Sequence, residues 1–143
     1  MWIFEGKEVN CIDDLAVDCV EIVYEITYES GKKYIGKKII RSFQKKKPTK
    51  AMLAIRKNYV RKELVISNFI DYEGSSELTK NEVIVSKEIL YQCNNKRTST
   101  YLETALLFHY DVLFDDNFLN QNIGGVYYDN ALDGVINVSE RGY

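Results

Sequence analysis

At 143 residues, the chain has room for one compact domain with a single core and too little for two of ordinary size. Hydrophobic residues make up 45% and proline occurs once, which excludes an intrinsically disordered chain. The net charge of -2 argues on its face against a polyanion-binding protein.

The N-terminus, Met1-Trp2-Ile3-Phe4-Glu5-Gly6, lacks the basic head and long apolar run of a signal peptide. No stretch approaches the roughly 20 apolar residues that span a bilayer. Cys11, Cys19 and Cys93 are odd in number and widely spaced, which reads as free thiols in a reducing cytoplasm.

In chain order, Trp2-Ile3-Phe4 and Glu8-Val9 flank Glu5-Gly6-Lys7 as a small hairpin or cap. Ile12–Leu15 reads as a turn or one helical turn. From Val20 to Thr27 the sequence alternates, with Val20, Ile22, Tyr24 and Ile26 on the apolar side of a strand. A turn at Glu29–Lys33 leads into a second strand, where Tyr34, Gly36 and Lys38 share a face. Gly36 leaves room there for a close approach by backbone or phosphate. Residues 42–50 are polar and basic, a loop ending at Pro48. The spacing predicts a helix over Thr49–Leu64, with Met52, Ile55 and Tyr59 inward, although Tyr59-Val60 and Leu64-Val65-Ile66 also suit a strand.

Ser67–Ser76 reads as a loop or short strand and Glu77–Glu82 as a helical turn. Val83–Gln92 reads as a third strand, and Asn94–Ser99 as a loop. Thr100–Phe114 is the clearest helix, with Leu102, Ala105, Leu106, His109 and Leu113 at helical spacing. The tail from Gly124 is loop-rich. The expected architecture is α+β: a single domain over 1–143, its core spanning about 18–125, with a short N-terminal hairpin and a C-terminal tail.

Charge is distributed unevenly. From Lys32 to Lys62 lie 13 of the 19 Lys and Arg residues and none of the 21 acidic ones. Such a stretch attracts a polyanion whatever the total charge.

The pairs Val23-Tyr24 and Tyr34-Ile35-Gly36, followed by Lys37-Lys38, resemble the signature of the GIY-YIG nuclease family, in particular its small members encoded by bacteriophages. The likeness extends to Met1-Trp2 with Gly6-Lys7, to Phe69–Ser76, and to Ile89-Leu90 with Cys93. It continues through Tyr101-Leu102-Glu103, Phe108 and Tyr110–Leu113 to Asp115-Asp116 and Asn120. The resemblance implies a small three-stranded mixed sheet flanked by helices and an endonuclease that hydrolyses phosphodiester bonds of DNA with Mg²⁺ (or Mn²⁺).

By resemblance, Glu103 is the metal-binding carboxylate. Tyr24 is the favoured general base and Tyr34 the partner that orients water or phosphate, roles the two phenols can exchange. Asn120 supports the site by hydrogen bonding. The family's transition-state arginine falls on Arg41 or Arg61, with Arg56 also in range. Lys37, Lys38, Lys45, Lys46, Lys47, Arg56, Lys57 and Lys62 are the expected DNA contacts.

Each assignment has a structural rival. Thr100-Tyr101-Leu102-Glu103 also reads as a capping box at a helix start. The two tyrosines are among 11, and His109 reads as a core histidine. No Cys/His spacing suits zinc. An inactive nucleic-acid-binding protein of the same fold and a protein-interaction factor are the alternative functions, and a homodimer or a protein partner stays open. The 18 residues after Gly125 are too few for a separate DNA-reading domain, so loose specificity is expected.

Overall fold

The computed structural model describes residues 1–142. A five-stranded mixed sheet runs in the order β2-β1-β7-β3-β4, built from β1 (Trp2–Phe4), β2 (Lys7–Val9), β3 (Glu21–Tyr28), β4 (Lys33–Ile39) and β7 (Ile84–Cys93). The three strands anticipated from the sequence are its centre, β7-β3-β4, and both of these pairings are antiparallel. The N-terminal hairpin extends this centre through β1, which lies parallel to β7.

The β3–β4 hairpin forms where alternation and turn chemistry agree. Tyr24 stands directly opposite Gly36, and Ile26 opposite Tyr34. Gly31 closes the turn at φ +84°, a conformation glycine adopts without strain. One face of β3 (Ile22, Tyr24, Ile26, Tyr28) packs with Trp2, Ile40, Phe69 and Ile89 in the main core. The other face is also buried, because helix α2 (Lys96–His109) lies across it. Ile35 and Leu107 meet there with Val112 and Ile123.

Three sequence expectations change. The helix over Thr49–Leu64 is instead a short helix α1 (Lys50–Ile55) followed by strand β6 (Arg61–Ile66). The loop over 42–50 is largely strand β5 (Arg41–Lys46), paired antiparallel with β6. The β-branched Val65-Ile66 and the pairing of Phe43 with Leu64 outweigh a helical spacing whose inward residue Ile55 is in fact 82% exposed.

The third change is at α2, which begins four residues earlier than expected and ends five earlier, at His109, so that Leu113 lies beyond it. Asn95 is its N-cap, accepting from the Thr98 N–H at 2.8 Å. Its inward residues are Ser99 and Leu107, while Ala105 and His109 are exposed. His109 is therefore not a core histidine. Its ring stacks edge-on against Tyr110 at the surface.

Among the described residues, no helix is long and apolar enough to cross a membrane. All three cysteines are free.

Candidate active site

β4 supplies the site from both of its faces. Tyr34 and Ile35 point to opposite sides of the strand, yet both line one cavity of about 390 Å³, which therefore wraps the edge of β4. Glu103 and Leu107 of α2, Ser75 and Ser76 of the 67–76 loop, Glu77, and Asn120 with Gln121, Asn122, Gly124 and Gly125 complete its wall.

Asn120 is fixed by two hydrogen bonds to one residue of β4. Its side-chain oxygen accepts from the Ile35 N–H at 3.1 Å, and its amide donates to the Ile35 carbonyl at 2.7 Å. Beside it, Lys33 N–H donates to Asn117 and Leu119 N–H to Lys33. The 117–120 segment thus covers part of the β4 edge and brings Asn120 to the cavity.

Glu103 lies about two turns inside α2, so it is not part of a capping box. Thr100 instead donates from its hydroxyl to the Lys96 carbonyl. Burial pushes the Glu103 carboxyl above the ordinary glutamate range. Lys37 opposes that shift and Glu21 adds to it.

The two phenols sit differently. Tyr34 is partly exposed, and its hydroxyl lies 3.5 Å from Ser75 Oγ. Tyr24 is buried and does not line the cavity. Its ring packs against Trp2, Tyr34 and Tyr72, with centroids at 5.2, 6.3 and 5.9 Å. Its hydroxyl crosses Gly36, and a Cβ there would meet it at 2.6 Å. The space that glycine leaves is filled by this phenol rather than by backbone or phosphate. Desolvation raises the pKa of both tyrosines, and the charge of Glu103 raises each further. Both phenols therefore lie within the electrostatic reach of Glu103.

Neither preferred arginine reaches the cavity. Arg41 donates to the Ala16 and Cys19 carbonyls at 3.0 and 2.7 Å, because β5 turns it back onto the 16–19 loop. Arg61 pairs with Glu63 on β6 and donates to the Lys47 carbonyl. Arg56 follows α1 over the ring of Tyr59. The cation near Glu103 is Lys37, which donates to Glu21 at 3.1 Å. Lys38 stands over the Tyr72 ring at 4.3 Å. Lys45, Lys46, Lys47, Arg56, Lys57 and Lys62 are exposed on β5, α1, β6 and their connections, none of them lining the cavity.

Two features carried no sequence signal. Glu21 is buried and accepts from both Lys37 and Ser99 of α2, a partner 78 residues away. Lys87 is also buried. It donates to the Ile70 and Tyr72 carbonyls at 2.8 and 2.9 Å, while Trp2 Nε1 donates to the Phe69 carbonyl at 2.7 Å. These three bonds fix the loop that places Tyr72 against Tyr24 and Ser75 against Tyr34.

Among the described residues, no cluster of three or more His, Cys, Asp or Glu side chains stands ready for a metal. The donor set at the cavity is the partly desolvated carboxylate of Glu103 and the exposed carboxylate of Glu77, with hydroxyl and amide oxygens around them. That fits a hard cation that keeps most of its waters, such as Mg²⁺. It does not fit zinc.

A family model described as "Putative endonuclease segE, GIY-YIG domain" matches residues 2–123. Nothing among the curated proteins or the solved structures matches the chain.

Proposed function

Because this chain belongs to the GIY-YIG endonuclease domain family, we propose that it hydrolyses phosphodiester bonds of DNA at the edge of β4. The observation that carries this reading is the shared cavity, to which the hairpin contributes Tyr34, α2 contributes Glu103 and the 117–120 segment contributes Asn120.

Phosphodiester hydrolysis needs an oriented water, charge stabilisation on the phosphorane-like transition state and help for the departing oxygen. Glu103 would hold a divalent cation, Mg²⁺ or Mn²⁺, which when bound supplies positive charge at the departing 3′ oxygen. Tyr34, its phenol protonated at neutral pH, is the group that orients the attacking water, and Ser75 fixes its hydroxyl. Tyr24 stands behind it as a positioning residue, which divides the roles that the sequence left exchangeable. Lys37 takes the place of the expected arginine by neutralising charge on the phosphate. Glu21, which also accepts from Ser99, holds the Lys37 ammonium in place, and Asn120 holds the strand that carries Tyr34 and Lys37. The basic residues between Lys45 and Lys62 bind the DNA backbone.

A plasmid relaxation assay tests the reading. Supercoiled DNA is expected to be cut with Mg²⁺ and left intact with EDTA. Tyr34→Phe should slow cleavage about 10²-fold, the usual cost of one transition-state hydrogen bond, and Glu103→Gln should abolish it. Full cleavage by Glu103→Gln, or no cleavage of any DNA by the wild type, overturns it. The absence of an arginine from the cavity favours one second reading, a nucleic-acid-binding protein of this fold with little activity. That reading expects salt-sensitive DNA binding with no product in the same assay.

A further inference from the structure

Among the described residues, β5 and β6 form a two-stranded ribbon that pairs with no other strand. Its base is anchored to the body. Ile40 is fully buried, the Ile40 and Arg41 N–H groups both donate to the Val20 carbonyl, and the Ser67 N–H donates to the Ile40 carbonyl. Beyond that base the ribbon projects as an arm with α1 at its tip, and its Phe43–Leu64 pair lines an open cleft of about 730 Å³ opposite Val17 and Asp18 of the 16–19 loop and Asn94 and Lys96 at the start of α2.

The arm's register sorts its side chains. One face carries three cross-strand pairs: Arg41 with Ile66, Phe43 with Leu64, and Lys45 with Lys62. Like charges directly opposite destabilise a ladder, and Lys45 and Lys62 face each other near the tip. Among the described residues neither has an acidic partner. Next to them Phe43 and Leu64 are 73% and 51% exposed. An isolated two-stranded ribbon is marginal in water, so a face that adds charge repulsion and unburied aromatic surface is built for something outside the chain. A polyanion with an apolar interior wall relieves both costs. Duplex DNA is such a partner, with phosphates on the groove rims and bases and sugars between them.

Resting on the reading of the chain as a DNA endonuclease, we infer that the β5–β6 arm enters the major groove of the substrate duplex with its Phe43 face inward. The major groove is about 12 Å wide and admits a two-stranded ribbon. Six-residue strands reach roughly 20 Å, enough to follow the groove away from the cutting site. Lys45 and Lys62 each meet a phosphate, and Phe43 with Leu64 packs on the groove wall. The arm grips duplex rather than single-stranded substrate.

Duplex binding measured by fluorescence anisotropy in EDTA, across a salt series, tests this without requiring any cleavage. Lys45→Gln/Lys62→Gln should lower the slope of log K against log salt by about 1.8, two phosphate contacts at 0.9 each. The same change should weaken affinity tens of fold near 0.1 M salt. Phe43→Ala should weaken binding several-fold with the slope unchanged. A duplex whose pyrimidines carry a bulky C5 substituent in the major groove should bind more weakly than the plain duplex. An unchanged slope in the double variant, or indifference to the groove substituent, overturns the inference. So does a wild-type dimer that Phe43→Ala dissociates while DNA affinity stays intact, since the face would then join two copies of the chain. Salt-dependent binding without any cleavage would sink the hydrolytic reading and leave the arm's role standing.

Discussion

Gly36 is where the signature acquires a physical reason. Its missing side chain lets Tyr24 lie across β4 beneath Tyr34, and an added Cβ would stand 2.6 Å from the Tyr24 hydroxyl and 3.0 Å from the Tyr34 ring. The first obstacle belongs to a buried ring wedged among Trp2, Tyr34 and Tyr72, which has nowhere to move. Gly36→Ala is therefore expected to destabilise the fold by about 1–3 kcal/mol, the usual range for overpacking, and to slow cleavage by displacing Tyr34. Thermal melting checks the first effect and the plasmid assay the second. Glu103 behaves in the opposite sense. Its carboxyl is raised by burial, so ionisation costs the folded state. That penalty is absent below the unfolded glutamate pKa of about 4.3 and fully present above the higher folded value. Glu103→Gln should thus melt at a higher temperature than the wild type at neutral pH and at the same temperature near pH 3, although it is inactive. An equal melting difference at both pH values refutes this.

Elements were legible in proportion to how local their causes are. The β3–β4 hairpin could be read because alternation, a glycine turn and two phenols agree within 20 residues. Its register, with Tyr24 opposite Gly36, then follows. The segment from 42 to 64 could not, because strand pairing between residues some 20 apart decided it against a helical spacing. Misplacing it misplaced Arg41 and Arg61, which β5 and β6 carry away from the cavity. Glu103 was found through resemblance, yet what distinguishes it from a capping residue is the earlier helix start at Asn95. The Glu21–Lys37–Ser99 contact joins β3, β4 and α2 and leaves no mark on any one of them. Lys37→Met should cost about 3 kcal/mol, the low end for breaking a buried pair, because Lys37 keeps 24% of its side chain exposed. The double variant Glu21→Gln/Lys37→Met should recover most of that stability by denaturant titration and none of the activity. Recovery of cleavage in the double variant would remove Lys37 from the chemistry.

Across the whole molecule the two signs of charge are sorted by architecture. The acid-free stretch from Lys32 to Lys62 runs through β4 and most of the arm, where Glu63 of β6 is the one acidic residue, and the other acidic residues fall on the rest of the chain. The sequence announced this asymmetry. It could not announce that the basic half stands on a projecting ribbon, because that depends on β5 and β6 finding only each other.

The strand order carries one more consequence, for the timing of assembly. β7 joins the sheet's two halves, with β1 on one side and β3 on the other. Its first residue is translated 45 positions after the β3–β4 hairpin closes, and 75 after the β1–β2 hairpin. Both hairpins can form within microseconds once synthesised, but neither can share a core until β7 slides between them. During synthesis the emerging chain would therefore hold Trp2 and Tyr24 apart until that strand clears the ribosome. The paired phenols, although encoded early, gain their buried setting only after β7 has emerged.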